Sequence, residues 1–239
     1  MNIAVIFAGG SGTRMNSKDK PKQFLLVHGK PIIVHTIEVF QNHPDIDAVV
    51  VVCIADWIEH MEELKFRYRL DKIATIVPGG ATGQMSIFNG LEAAEKISNN
   101  DDDIVLIHDG VRPLITADEL TLNIESVKKH GSAITCVKTK ETFVLVDDNN
   151  KVVKVPDRAH SFVAKAPQSF LLKDILSAQR KAISDGNTNM IDSCTLMQQY
   201  GYETYCIIGN YENMKITTPD DFYTFRALYD ARENQQLDF

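Results

Sequence analysis

Residues 3–14 read Ile3-Ala4-Val5-Ile6-Phe7-Ala8-Gly9-Gly10-Ser11-Gly12-Thr13-Arg14, an apolar run that breaks abruptly into glycines. The run from Ile3 to Phe7 predicts a strand covered on both faces. The glycines that follow permit a tight turn and a close approach of backbone N–H groups to phosphate oxygens. For the glycines alone, an ordinary strand-to-helix turn is the simpler reading. Two familiar nucleotide loops are disfavoured by spacing. Met15 stands where a dinucleotide-binding loop needs its third glycine, and no Gly-Lys-Ser/Thr follows as a P-loop requires. An NAD-dependent oxidoreductase is disfavoured on the same ground.

Outward from this stretch, short β-branched runs alternate with helix-period segments, the pattern of parallel strands joined by crossover helices. Strands are expected at 47–54, 73–77, 104–107 and 132–137, and near 203–208. Helices are expected at 32–41, 56–68, 86–97 and 116–129, after Leu172, from about Ser193 and from Pro219. Thr116 with Glu119 three residues on predicts a capping box. From Lys138 to Val155 the residues alternate around Asp147-Asp148-Asn149-Asn150, which predicts a β-hairpin arm with little core of its own. No repeat or linker divides the chain, so one domain over 1–239 with an arm at about 138–158 is expected.

The bulk properties narrow the class. The 239 residues carry 25 Lys+Arg against 32 Asp+Glu, a formal charge of −7. That balance argues against broad binding of nucleic acid or anionic membranes, and confines any phosphate chemistry to a local basic pocket. Cys53, Cys136, Cys194 and Cys206 are scattered, with no C-x-x-C pair and no zinc-ligand spacing, as expected of thiols in a reducing compartment. The N-terminal run lacks a basic flank, and no later apolar run reaches the length of a membrane span. The expectation is a cytoplasmic protein.

Chemistry enters with the cations. Arg14 follows the glycines, and Lys22 lies in Pro21-Lys22-Gln23-Phe24. Two cations on one glycine-rich connection can neutralise a triphosphate and the charge of a phosphoryl-transfer transition state. Lys18 and Lys20 read as solvated surface charges. Asp109, in His108-Asp109-Gly110-Val111-Arg112-Pro113, falls at a strand's carboxyl end, where α/β sheets hold their ligands; a turn-capping carboxylate is the competing reading. None of the seven histidines has another at i, i+4, and they read as structural or surface groups. Trp57, in a helix-period run, reads as a packing residue.

The ordered blocks Ala8-Gly9-Gly10-x-Gly12-x-Arg14, Pro21-Lys22-Gln23, Gly79-Gly80, Ser86, His108-Asp109-x-x-Arg112-Pro113, Thr142, Asp157-Arg158, Pro167-Gln168-x-Phe170 and Asn213-x-Lys215-Ile216-Thr217 run through the whole chain. Together they resemble the sugar-nucleotide pyrophosphorylases, and more narrowly the cytidylyltransferases acting on methylerythritol phosphate and ribitol 5-phosphate. The resemblance implies an α/β, Rossmann-like three-layer nucleotidyltransferase fold with a mostly parallel twisted sheet and a protruding arm. It also implies a reaction that transfers CMP from CTP to a polyol phosphate. Ala8, Gly9, Gly10, Ser11, Gly12 and Thr13, with Gly80, Ala81 and Ser86, are then expected to hold CTP, and Asp109 to bind Mg²⁺. Arg14, Lys22 and Lys215 are expected to be catalytic. Arg112, Thr142, Arg158 and Lys215 are expected to bind the polyol phosphate. The family uses its arm across a homodimer, so Thr142 and Arg158 are expected to serve the partner's site. For Arg158, an ion pair with Asp157 is a competing reading.

The chain also departs from the family's pattern. Gly83 stands where most relatives carry an arginine, and Ala166 and Ile191 stand where threonine is usual. The wording Val111-Arg112-Pro113-Leu114-Ile115 looks more like the polyol branch, which favours D-ribitol 5-phosphate and a CDP-ribitol product for teichoic-acid or capsule synthesis. The alternatives are methylerythritol phosphate of isoprenoid synthesis, another alditol phosphate, and a nucleotide-binding sensor that has lost turnover.

Overall fold

A computed structural model of the chain describes residues 1–9 and 20–234. Gly10, Ser11, Gly12, Thr13, Arg14 and Lys18 lie outside the described residues. The first strand, β1, is Asn2–Ala8. A single 3₁₀ turn at Lys22–Phe24 follows, then the two-residue strands β2 (Leu26–Val27) and β3 (Lys30–Pro31). They are joined by His28 and Gly29, both at positive φ (50° and 75°), the backbone a two-residue hairpin turn demands. Helix α1 (Ile32–Asn42), strand β4 (Ala48–Cys53), helix α2 (Ile58–Arg67), strand β5 (Ile73–Pro78), helix α3 (Gly83–Ile97) and strand β6 (Ile104–Asp109) complete the first half. Helix α4 (Ala117–His130), strand β7 (Ser132–Lys138), the hairpin strands β8 (Leu145–Val146) and β9 (Val152–Lys154), and strand β10 (Phe162–Leu171) come next. Helices α5 (Leu172–Ser184) and α6 (Ser193–Gln199), strand β11 (Cys206–Ile208) and helix α7 (Pro219–Asn234) close the described chain.

The central sheet has seven strands in the order β11-β7-β10-β6-β1-β4-β5. β10 runs antiparallel to both β6 and β7, and the other pairings are parallel. Alternate residues of β1 feed two cores. Ala4, Ile6 and Ala8 face the side covered by α1, α2 and α4, while Ile3 and Val5 face α3, α5 and α6. The result is the three-layer α/β arrangement with a mostly parallel sheet that the resemblance implied. A third cluster packs Phe225 of α7 against Val27, Ile32, Val111 and Ile216.

Three expectations need adjustment. β6 runs through His108 and Asp109, so these belong to the strand rather than to the loop after it. Helix α3 starts at Gly83, three residues before the expected Ser86, because Thr82 caps it by accepting from Met85 N. β10 is absent from the sequence reading altogether. The capping box forms as expected, with Glu119 accepting from Thr116 N (3.0 Å) and Thr116 Oγ1 from Glu119 N (3.3 Å).

Candidate active site

The chain leaves β1 outward to β4 and β5, then returns to β6 on the other flank of β1. A crevice opens at the carboxyl ends of strands where the order reverses in this way. Gly9, just beyond β1, and Asp109, at the end of β6, stand at that point, with Phe7 and Asp109 paired in register.

The glycines are there to let two segments touch. A Cβ on Gly9 would lie 3.3 Å from Ser86 Oγ and 3.7 Å from Gly79 Cα, and one on Gly79 would lie 3.2 Å from Ser86 Oγ. Gly80 N donates to Ser86 Oγ (3.0 Å), whose hydroxyl donates to Thr82 O (2.9 Å). The loops after β1 and β5 thus meet at the N-terminus of α3, where free N–H groups and the helix dipole favour an anion. Gly80 and Ala81 are exposed beside Ser86 and present open backbone. The Ala8 carbonyl accepts from Gln23 Nε2 (2.6 Å).

Pro21-Lys22-Gln23-Phe24 is a buried fixture beside these loops. Phe24 stacks on Trp57 with centroids 4.9 Å apart, so Trp57 is a packing residue. Lys22 is buried, and its ammonium donates to Ile216 O (2.9 Å). Ile216 N donates in turn to Val111 O (3.0 Å). Lys22 is therefore braced against the segment that carries Lys215.

Asp109 is the centre of charge. Arg112 Nε donates to one of its oxygens (2.7 Å), and Lys215 Nζ lies 2.6 Å from the other. Burial alone would push its carboxyl upward, but the Lys215 ammonium and the Arg112 guanidinium outweigh it and hold the carboxyl down to about 2. Arg112 is fixed further by Nη1 donating to Asn213 O (3.0 Å). His108, fully buried, hydrogen bonds through Nε2 to Arg112 O (3.2 Å), and burial pushes its pKa down to about 4. A neutral imidazole under the floor of the site orients the loop and offers no proton at neutral pH.

These groups wall one side of a cleft of about 310 Å³, and β10 with the 190–192 segment walls the other. Of the expected site positions, Asp109, Arg112 and Lys215 line it, while Lys22 and the positions expected to hold CTP, Ala8, Gly9, Gly80, Ala81 and Ser86, lie outside its lining. Thr142 and Arg158 do not line it either; both are exposed, on the connection into β8 and just past β9. Asp157 takes His160 Nδ1 (2.7 Å) and Ala159 N (2.9 Å), so the Asp157–Arg158 ion pair considered from sequence is not formed. Gly83 lines the cleft, and a Cβ there would meet nothing within 4 Å. Ile191 stands on the rim, 88% exposed.

Three polar groups of the cleft carry no role expected from the sequence. Gln168 bridges α6, donating to Asp192 Oδ2 (3.1 Å) and accepting from Cys194 N (2.8 Å). Gln84 ties α3 to the rim by donating to Asn187 O (2.9 Å) and accepting from Met190 N (2.8 Å). Lys165, half-buried on β10, donates to the carbonyls of Asn210 (3.2 Å) and Tyr211 (2.8 Å). Only the Pro167-Gln168 block pointed toward this wall. Among the described residues, the one grouping of histidine and carboxylates close enough to hold a metal is His28, Asp230 and Glu233, and none of these lines the cleft.

Residues 2–230 match the family model of 2-C-methyl-D-erythritol 4-phosphate cytidylyltransferase. The ribitol-5-phosphate cytidylyltransferase of Streptococcus agalactiae serotype V is 63% identical over 237 residues, 99% of this chain and 98% of that protein. The ribitol-5-phosphate cytidylyltransferase of Vibrio parahaemolyticus is 52% identical over 238 residues, 99% of each. A 2-C-methyl-D-erythritol 4-phosphate cytidylyltransferase of Clostridium botulinum is 37% identical over 220 residues, 92% of this chain and 93% of that one. Among solved structures, the 4-diphosphocytidyl-2C-methyl-D-erythritol synthase of Anaerococcus prevotii superposes with a TM-score of 0.83 at 26% identity, covering 96% of each chain.

Proposed function

The chain belongs to the 2-C-methyl-D-erythritol 4-phosphate cytidylyltransferase family, and we propose that it transfers CMP from CTP to D-ribitol 5-phosphate, releasing pyrophosphate and CDP-ribitol. It is a nucleotidyltransferase; the acceptor is what the proposal adds. One observation carries it: identity to ribitol-5-phosphate cytidylyltransferases is 63% over nearly the whole chain, against 37% to a methylerythritol-phosphate enzyme. CDP-ribitol is an activated alditol phosphate suited to teichoic-acid or capsule synthesis, and the proposal includes a cytoplasmic location.

The chemistry asks for position and charge. A phosphate oxygen of the acceptor, anionic at neutral pH, forms a bond to the α-phosphorus of CTP as the bond to the bridging oxygen breaks, and the electron pair leaves with pyrophosphate. No general base is needed, which suits a site whose histidine is buried and neutral. The N-terminus of α3 and the Gly9 and Gly79-Gly80 backbone suit the nucleotide side. Lys22, Arg112 and Lys215 supply positive charge where negative charge accumulates in the transition state, and Arg14 is assigned with them from the sequence.

Magnesium is expected with CTP. Asp109 fits it, because its carboxylate stays ionised at any physiological pH and each oxygen keeps a lone pair beyond its present partner. Because Arg112 and Lys215 oppose a bare cation at that carboxylate, Asp109 would hold the ion together with the nucleotide's phosphates rather than alone. When bound it neutralises charge developing on the phosphate oxygens.

A homodimer through the arm is part of the proposal. Its support is a run of exposed apolar side chains, Phe143, Val144, Leu145 and Val146 facing chain-wise Val152, Val153 and Val155, each 43–60% exposed. Such a surface on a small hairpin calls for a cover.

The test is direct. Purified protein with Mg²⁺ and CTP should release pyrophosphate with ribitol 5-phosphate faster than with other alditol phosphates or with methylerythritol phosphate. Preference for methylerythritol phosphate would overturn the acceptor, and silence with every acceptor would favour a sensor.

A further inference from the structure

Lys165 lines the cleft and forms no ion pair among the described residues. Arg112 and Lys215 share Asp109, so these three groups together leave one positive charge. Asp192, the other carboxylate lining the cleft, is occupied by Gln168 Nε2 through Oδ2 and by Thr195 N through Oδ1 (2.8 Å). Lys165 has no carboxylate within 4.0 Å among the described residues; its two hydrogen bonds to backbone carbonyls leave a third N–H for a ligand, with the Tyr211 ring 5.9 Å from the ammonium. It stands where the pairing of β10 with β7 slips, between Ala164 and Gln168. That irregularity is where a strand re-aims a side chain. Burial, and next the nearby Arg112, lower its pKa, outweighing the Glu119 carboxylate, which acts the other way from beyond ion-pair distance.

We infer that Lys165 binds a hydroxyl oxygen of the acceptor's polyol chain and so helps set which polyol phosphate is accepted. This rests on the transferase reading above. The phosphate end of the acceptor belongs at the wall of Arg112 and Lys215, where the nucleotide's α-phosphorus must come. A polyol tail crossing the cleft meets β10, where Lys165 and Gln168 both line the wall. An extended alditol has a hydroxyl on every remaining carbon, so the last of them falls to the far wall. A shorter acceptor leaves the Lys165 donor empty.

The competing account is that Lys165 only staples the 210–213 loop, whose Asn213 carbonyl holds Arg112. The two accounts differ in which kinetic constant moves. Wild-type protein, Lys165→Met and Lys165→Arg are each assayed with ribitol 5-phosphate and with erythritol 4-phosphate, which is one CHOH unit shorter. A hydrogen bond to a charged donor is worth about 1.5–3 kcal/mol, or roughly 10- to 150-fold. The expected result in Lys165→Met is a rise of roughly that size in KM for ribitol 5-phosphate. KM for CTP stays within about twofold of wild type. The preference for the longer acceptor should collapse in Lys165→Met, while Lys165→Arg keeps most of it. An unchanged preference in a folded Lys165→Met, or a loss falling on kcat and on KM for CTP together, overturns the inference while leaving the enzyme reading intact. If Lys165→Met fails to fold, loss of preference in Lys165→Arg decides against it. Wild-type protein inactive with every alditol phosphate would sink the acceptor reading first, and this inference with it.

Discussion

Lys22, Arg112 and Lys215 are cations with unequal freedom. Arg112 and Lys215 pair with Asp109, while Lys22 is anchored on a backbone carbonyl. Replacing Lys22 with alanine removes a charge-stabilising group and its bond to Ile216 O beside Lys215, so kcat should fall about 10²- to 10³-fold. Near-normal turnover in a folded Lys22→Ala would count against the mechanism. His108 makes a prediction of a different kind. Its pKa sits near 4 in the folded protein against an ordinary 6.5, so the unfolded chain takes up a proton first as pH falls. The stability is complete above about 6.5, drains away between 6.5 and 4, and falls no further on this group's account below that. A shift of this size corresponds to about 3 kcal/mol. Urea unfolding at pH 7 and 4.5 should show the loss in wild type and a clearly smaller one in His108→Asn. His35, also lowered by burial, acts in the same direction, so an equal loss in both proteins would assign the effect elsewhere.

Helix α3 sits close to the sheet at Gly90. A Cβ there would come 2.5 Å from Val5 Cγ1 and 2.7 Å from Val52 Cγ2, both on buried central strands with no room to retreat. Alanine is the better helix former by about 1 kcal/mol, yet overpacking costs about 1–3 kcal/mol. Gly90→Ala should therefore be less stable than wild type in chemical denaturation, and a gain in stability would mean that the helix can lift freely. The same contrast between local and long-range causes governs how much of the fold was legible. β1, β4, β6 and β7 announce themselves because strands buried on both faces read as apolar runs, β5 at the sheet edge through its β-branched Ile73-to-Val77 run closed by Pro78, and α4 through its own capping box. β10 was illegible. Lys165 and Pro167 interrupt its apolar pattern, and proline is expected only at edges or bulges, whereas this strand lies between β6 and β7 with its register broken at that point. Missing the strand meant missing Lys165 and the bridge from Gln168 to Asp192, since both depend on pairs 24 to 46 residues apart in the chain. Asp109, Arg112 and Lys215 were found because family motifs mark them. The Asp109–Arg112 pair is local, three residues apart, whereas the Asp109–Lys215 pair had no local signal.

The arm is where the single chain stops explaining itself. β8 and β9 form a sheet of their own, separate from the central one. Their flanks expose valine, leucine and phenylalanine side chains that a monomer would leave in water. Thr142 and Arg158, expected to bind the acceptor, bracket that apolar stretch and stand off this subunit's cleft. Both facts follow if a second copy covers the arm and receives those two residues. Each active site would then need Lys22 from one chain and Arg158 from the other. Lys22→Ala and Arg158→Ala should each be nearly inactive alone, since each homodimer lacks one contribution at both sites. Mixed and re-associated, the heterodimer holds one site with both defects and one with neither. Random pairing makes half of all dimers heterodimers, so about a quarter of wild-type activity should return in an equimolar mixture. Size-exclusion chromatography with differently tagged subunits establishes that exchange occurred. Confirmed heterodimers without recovered activity would place Arg158 back on its own subunit.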